Sequence, residues 1–215
     1  HSLQSETFQV AYHSVHGAVQ ESQHVFMQAG FQACLDGGLT SIRVLEMGFG
    51  TGLNAYLALL KAAELPEISV SYLTIEQFPI STELVGQLNY PQELGHDNDP
   101  RFSALHTAEW NTEVAITDNF TLHKLNGDLL SPELLLPKNW ADTVFYDAFA
   151  PESQPQLWEE TALQKIETAM ADQGNLVTYC AKGVVKRRLK ALGLTLEALP
   201  GPPRKREMTR ATKKA

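Results

Sequence analysis

The segment Val44-Leu45-Glu46-Met47-Gly48-Phe49-Gly50-Thr51-Gly52-Leu53-Asn54 joins an apolar run to a helix-forming run through three glycines at alternate positions. Glycine accepts φ > 0 at little cost and lets backbone come close to a bound molecule. A helix beginning near Gly52 directs its free N–H groups at the same spot. The expected product is a strand, a tight loop and a helix that together cup a nucleotide-like cofactor.

The spacing selects the cofactor. A dinucleotide loop reads G-x-G-x-x-G and seats a pyrophosphate on the helix N-terminus. Here the order is Glu46-x-Gly48-x-Gly50-x-Gly52, with an acid at the strand end. A carboxylate repels a pyrophosphate and attracts a sulfonium, so the pattern suits S-adenosylmethionine. Glu46, Gly48, Phe49, Gly50, Thr51, Gly52 and Asn54 are expected to hold it. The next apolar run, residues 70–76, ends on Glu76, with Gln77 following. In such folds the end of the second strand is where a carboxylate meets a ribose diol, which makes Glu76 the ribose ligand. Asp128, in Asn126-Gly127-Asp128, follows the third strand and is placed to accept a hydrogen bond from the adenine amino group.

From residue 42 strands and helices alternate. Strands are expected at 42–47, 69–76, 119–125, 141–147, 174–180, 194–199 and 206–211, and helices at 53–64, 81–89, 155–171 and 183–192. This order predicts an α/β, Rossmann-like fold with a mostly parallel seven-stranded sheet and helices on both faces. A C-terminal antiparallel hairpin turns at Pro200-Gly201-Pro202-Pro203. Residues 90–118, polar and punctuated by Pro91, Gly95 and Pro100, read as an irregular excursion with one or two helical turns. Residues 1–40 read as a small β-rich extension, with strands at 8–12 and 23–27 and a short helix at 31–35, serving as a cover on the substrate side.

With 215 residues and 43% hydrophobic content, the chain can bury one good core. No apolar run approaches the roughly 18 residues of a membrane span, and no leader precedes a cleavage site; the sequence reads as cytoplasmic. Cys34 and Cys180 sit in apolar settings and read as buried thiols, and the scattered histidines give no metal-ligand spacing, so no metal is expected. The net charge of −8 excludes indiscriminate coating of nucleic acid. Eleven of the seventeen Lys and Arg residues nevertheless follow residue 180, which leaves room for a local basic surface.

The fourth core strand leaves the sheet as Asp147-Ala148-Phe149-Ala150-Pro151. The proline disfavours helix at Ala150 and keeps the segment extended over the cofactor, where Phe149 can stack on a planar base. Methyl transfer from a sulfonium needs alignment more than covalent help. Protonation is the harder problem: an alkyl amine of pKa about 10.4 costs about 4.6 kcal/mol to present uncharged at pH 7. Asp147 is therefore the expected catalytic residue, orienting the amine first and receiving its proton second; it also borders the cofactor.

These residues resemble a known family. Tyr12-His13-Ser14, Gly17-Ala18, Glu21-Ser22, Val25-Phe26, the glycine loop, Glu76-Gln77-Phe78-Pro79, the Asp147–Pro151 loop, Trp158 and Arg204-Lys205-Arg206-Glu207-Met208 are similar to the methyltransferase domain of bacterial tRNA 5-methylaminomethyl-2-thiouridine biosynthesis proteins, the MnmC type. The resemblance implies that residues 41–215 are an S-adenosylmethionine-dependent methyltransferase domain. It further implies methyl transfer to the aminomethyl group at C5 of wobble uridine 34 in tRNA. An unstacked anticodon-loop base can be splayed into a pocket and backed by aromatic rings, with Phe149 and Tyr12 as candidates and Pro151 beside them. Phosphate contacts are expected from Lys182, Arg187, Arg188, Arg204, Lys205 and Arg206, and His13, Glu21 and His24 are placed to line the amine pocket. No second glycine fingerprint follows, so the flavin-dependent oxidoreductase fused to many relatives is expected to be absent from this chain. Two other readings share the fold: an N-methyltransferase for a small amine or another macromolecule, and a non-catalytic partner subunit.

Overall fold

The computed structural model describes residues 15–203 and 205–215. The expected strand at 8–12, Tyr12, His13 and Arg204 lie outside the described residues. In chain order the strands are β1 (Ser41–Met47), β2 (Ser69–Glu76), β3 (Glu113–Thr117), β4 (Phe120–Asn126), β5 (Ala141–Tyr146), β6 (Met170–Thr178), β7 (Thr195–Pro200) and β8 (Glu207–Thr212). The helices are α1 (Val15–Ser22), a π-helical run Gln23–Phe31, α2 (Gln32–Asp36), α3 (Leu53–Glu64), α4 (Thr82–Val85), α5 (Tyr90–Glu93), α6 (Pro100–Thr107), a 3₁₀ turn Pro155–Trp158, α7 (Glu160–Ala169) and α8 (Gly183–Ala191).

The sheet order is β3-β4-β2-β1-β5-β6-β8-β7. The five central strands, from β4 to β6, are parallel, and β3, β8 and β7 pair antiparallel. The expected Rossmann-like sheet and closing hairpin therefore form, with eight strands among the described residues and not seven. The additional strand is β3. It lies inside the expected irregular excursion, on the sheet edge, with an alternation too short and too exposed to stand out from a polar segment. A turn at Asp118-Asn119 joins it to β4, anchored where the Asn119 amide donates to the Ala62 and Ile68 carbonyls at 2.8 and 3.1 Å.

Alternation along the strands sends side chains to two faces. Ile42 and Val44 of β1, Val70 and Tyr72 of β2, and Phe145 of β5 enter a core shared with α3, α6 and the N-terminal helices. Leu45, Met47, Leu73, Val144 and Tyr146 enter the other, with α7 and α8. Helix α3 is buried at every residue from Leu53 to Leu59, as a helix pressed onto a parallel sheet must be.

The N-terminal segment departs from the expected β-rich extension. Where residues 23–27 were expected to form a strand, residues 15–36 are helical throughout. The reason is packing: Val25, Phe26, Phe31 and Cys34 are 5% exposed or less, on the side that faces the sheet. A Cβ at Gly30 would come within 2.9 Å of both Thr143 Oγ1 and Val177 Cγ2, so this glycine lets the helix lie directly on β5 and β6. Helix 81–89 is likewise replaced by α4 and α5, separated at Gly86 and restarted around Pro91. Helix 155–171 becomes a 3₁₀ turn and α7, broken at extended Glu159 (φ −76°, ψ 163°).

Candidate active site

Strand order reverses at β1, whose neighbours β2 and β5 carry the chain to opposite sides of the sheet. Ligands of open α/β sheets lie beyond the carboxyl ends at such a point. A cavity of about 450 Å³ opens there, within the range of small-molecule sites.

One end is made largely of backbone. Gly48, Gly50 and Gly52 have φ of 91°, 50° and 72°, the left-handed region that side chains resist. A Cβ on Gly48 would reach ordinary contact with the Asp147 carbonyl at 3.4 Å, whereas one on Gly52 would meet His106 Nε2 at 3.0 Å. Glu76 ties the loop to β2: Oε2 accepts from the Gly50 N–H at 3.0 Å and Oε1 from the Phe78 N–H at 2.8 Å. Each oxygen keeps a second lone pair, and Glu76, Gln77, Asp128 and Leu129 border the cavity at this end. Asp128 is held by its own turn, its Oδ1 accepting from the Leu130 N–H at 2.9 Å. Behind the loop sits Lys124, 1% exposed. Its ammonium donates to the His106 carbonyl at 2.8 Å and lies 4.5 Å from the Trp110 ring centroid and 5.3 Å from that of Phe49. Burial pushes this ammonium down to about 8.

The other end is made of side chains. Asp147 follows β5, and Asn54 from α3 donates Nδ2–H to its Oδ2 at 2.9 Å, leaving Oδ1 for other partners. Burial pushes the Asp147 carboxyl up to about 7; Asn54 and Lys205 oppose the rise and Glu21 adds to it. Gln154 accepts from the Phe149 N–H at 3.2 Å, and Trp158 donates to the Phe149 carbonyl at 2.8 Å, so the loop holds Phe149 on the cavity wall. Glu21 of α1, Tyr179 beyond β6 and Lys205 complete this end.

Several expected site residues lie elsewhere. Glu46 does not border the cavity; it is 0% exposed, beneath α3 and opposite Thr74 in the β1–β2 register. Burial pushes its carboxyl up to about 8, so at neutral pH it carries little of the charge expected to attract a sulfonium. Gly52 and Pro151 are not on the cavity wall. Arg188 is turned inward, donating to the Trp158 carbonyl at 2.9 Å and to Glu159 at 2.6 Å. Lys182 is paired with Glu152, and His24 is bonded to the Pro200 carbonyl at 2.8 Å. Arg187 and Arg206 are exposed. Of the expected phosphate contacts, only Lys205 borders the cavity among the described residues.

Ala18, Ser22 and Phe26, which carry the family resemblance without an expected site role, and Tyr90, Gln154 and Tyr179, which no motif marks, are also on the wall. Two signals were available. Ala18, Ser22 and Phe26 recur every four residues, a helical stripe, and Tyr179 stands at a strand carboxyl end like the acids that were chosen. Thr51 and Tyr90 hydroxyls meet at 3.1 Å, a pairing no local pattern announces. Among the described residues no cluster of His, Cys, Asp and Glu is placed to hold a metal, and no helix is long and apolar enough to cross a membrane.

A glycine-built cradle at a sheet reversal, with Asp147 across the cavity from it, has the form of a methyl-donor site. Residues 100–214 match the family described as S-adenosyl-L-methionine-dependent methyltransferases, and the chain belongs to that family. Among curated relatives, the tRNA 5-methylaminomethyl-2-thiouridine biosynthesis bifunctional protein MnmC of Pseudomonas paraeruginosa is 31% identical over 221 residues, covering 97% of this chain and 33% of that protein. The protein of the same name from Actinobacillus pleuropneumoniae is 27% identical over 225 residues, covering 95% of this chain and 32% of its own length. This chain thus spans about one third of the curated relatives it matches. The crystal structure of MNMC2 from Aquifex aeolicus superposes with a TM-score of 0.79 at 27% identity, over 100% of this chain and 67% of that one. A Listeria monocytogenes class I S-adenosylmethionine-dependent methyltransferase, putative in its own description, shares the fold at a TM-score of 0.56 and 12% identity, over 94% of this chain and 63% of that one.

Proposed function

We propose that this chain methylates the aminomethyl group at C5 of wobble uridine 34 in tRNA, the step that the names of its relatives imply. The observation that carries the reading is one cavity with a glycine and carboxylate cradle at one end and the Asn54-anchored Asp147 at the other. Residues 41–215 serve as the methyltransferase domain, and residues 1–40 cover the substrate side, an assignment supported by Ala18, Glu21 and Ser22 on the cavity wall. The setting is cytoplasmic, where tRNA is found.

S-adenosyl-L-methionine supplies a methyl group on a sulfonium, which passes to the nitrogen lone pair as the C–S bonding electrons return to sulfur. The chain's own residues bind and aim. The 48–52 loop gives close backbone approach, the spare lone pairs of Glu76 accept the ribose hydroxyls, and Asp128 accepts from the adenine amino group. Phe149 backs the uracil ring. Asp147 Oδ1 accepts an N–H of the amine and so directs its lone pair, while Asn54 fixes the carboxylate through Oδ2. With its carboxyl at about 7, Asp147 takes the departing proton only in passing, because an alkyl ammonium near 10.4 holds it more tightly; orientation is its main contribution. Exposed Arg187 and Arg206 supply phosphate contacts.

The test incubates the protein with labelled S-adenosyl-L-methionine and tRNA that carries the unmethylated aminomethyl uridine, then identifies the labelled nucleoside. Label in 5-methylaminomethyl-2-thiouridine is the expected result. Label transferred to a small amine but never to this tRNA would replace the proposal with the small-amine reading.

A further inference from the structure

The substrate end of the cavity contains a cation site that the protein fills itself. Lys205 donates Nζ–H to both carboxylate oxygens of Glu21, at 3.0 and 3.1 Å. The same ammonium lies 4.1 Å from the Tyr179 ring centroid. Tyr179 is fixed in turn, its hydroxyl donating to the Ala148 carbonyl at 2.8 Å, one residue from Asp147. A carboxylate and an aromatic face together are the chemistry that binds an ammonium ion. Glu21, Tyr179, Lys205 and Asp147 all border the cavity.

We propose that Lys205 occupies an ammonium-binding position beside Asp147 and thereby restricts the site to the uncharged form of the substrate amine. The proposal rests on the function put forward above. Without Lys205, Glu21 and Asp147 would offer two negative charges and a ring face to the incoming nitrogen, an arrangement that favours the protonated, unreactive amine. With it, one carboxylate and the ring are already engaged, and a second cation meets a like charge. The charged and titratable groups facing this position are Glu21 from α1, Asp147 beyond β5, and Tyr179 and Cys180 beyond β6, with Lys186 of α8 acting on Cys180. Glu76 and Asp128 lie at the opposite end of the cavity. Lys205 is thus a positioning and selecting residue: it takes no proton and touches no reacting atom. Lowering the pKa of the bound amine by one to two units, the scale of effect of one nearby charge, raises its reactive fraction at pH 7 by about 10- to 100-fold.

The test compares pH profiles of kcat and KM for the wild type, K205M and K205R. In K205M the acid limb of kcat is expected to move up by about one unit or more, with kcat at pH 7 about tenfold lower, KM no higher, and the difference closing by about pH 9.5. K205R keeps the charge and the wild-type limb. Loss of kcat by the same factor at every pH would overturn the proposal. If K205M does not fold, K205Q carries the same expectation. A second measurement needs no turnover: methylammonium, at matched ionic strength against sodium, should raise the Tm of K205M and leave the wild type unchanged. Equal behaviour of the two proteins would also overturn the proposal. A wild type inactive on the aminomethyl uridine would sink the functional reading alone, since the methylammonium measurement still decides the cation site.

Discussion

The two ends of the cavity are built from different materials. The cofactor end is backbone: three left-handed glycines within five residues, held by a carboxylate that bonds two N–H groups. The substrate end is side chains drawn from residues 21, 54, 147, 179 and 205, which meet only after the sheet has formed. A backbone loop tolerates little change in shape and carries no titratable group of its own. A side-chain site with one carboxyl near 7 and a lysine paired to another is sensitive to both charge and pH. Damage at one end should therefore leave the other readable.

The largest separation is expected from Gly48→Val. A β-branched residue at φ 91° is strained whatever space surrounds it. Cofactor affinity by calorimetry should fall by more than about 100-fold, which corresponds to roughly 3 kcal/mol. Glu76→Ala comes next. Losing charged hydrogen bonds worth about 1.5–3 kcal/mol should weaken cofactor binding by about 10- to 100-fold while kcat at saturating cofactor stays within a few-fold. A kcat loss as large as the affinity loss would show the two ends to be coupled.

Glu46 sharpens the comparison from beneath. Its carboxyl and that of Asp147 are both raised by burial, to about 8 and about 7. A group whose folded pKa lies above its unfolded value contributes stability that is full below the unfolded pKa, near 4, and is lost as pH rises through the folded one. These two carboxyls accordingly withdraw stability between about pH 4 and pH 8, whereas the imidazole of His106, pushed down to about 4 by burial, acts in the opposite direction below about pH 6.5. Glu46→Gln removes one ionisation and should unfold a few degrees higher than the wild type at pH 8.5, with little difference at pH 5. The smallest effect is expected at the rim: Arg187→Ala or Arg206→Ala should weaken tRNA binding modestly and reduce the salt slope by about one each, without altering cofactor affinity.

This division also explains what could be read from the chain alone. That Gly48, Gly50, Glu76, Asp128 and Asp147 border one cavity was legible because each stands in a local pattern at a strand end. The Lys205–Glu21–Tyr179 cluster was not, since its members are separated by as many as 184 positions and only the sheet order unites them. Glu46 stands one residue before the end of β1; that single position turned it under α3 and away from the cavity. The N-terminal helices were hidden by short apolar clusters that suit either period; the four-residue recurrence of Ala18, Ser22 and Phe26 is the helical signal in the sequence, and the structure adds Gly30, seated against Thr143 and Val177. The edge strand β3 needed its partner β4 to be recognisable.

The separation of binding from alignment is tested most directly on Asp147→Ala, with cofactor affinity and single-turnover methylation of aminomethyl tRNA measured on the same preparation. The account predicts a cofactor Kd within about threefold of wild type and a transfer rate lower by about 10²-fold or more, the cost of losing alignment. A variant that keeps most of its transfer rate, or one that loses cofactor binding and rate in parallel, would contradict it.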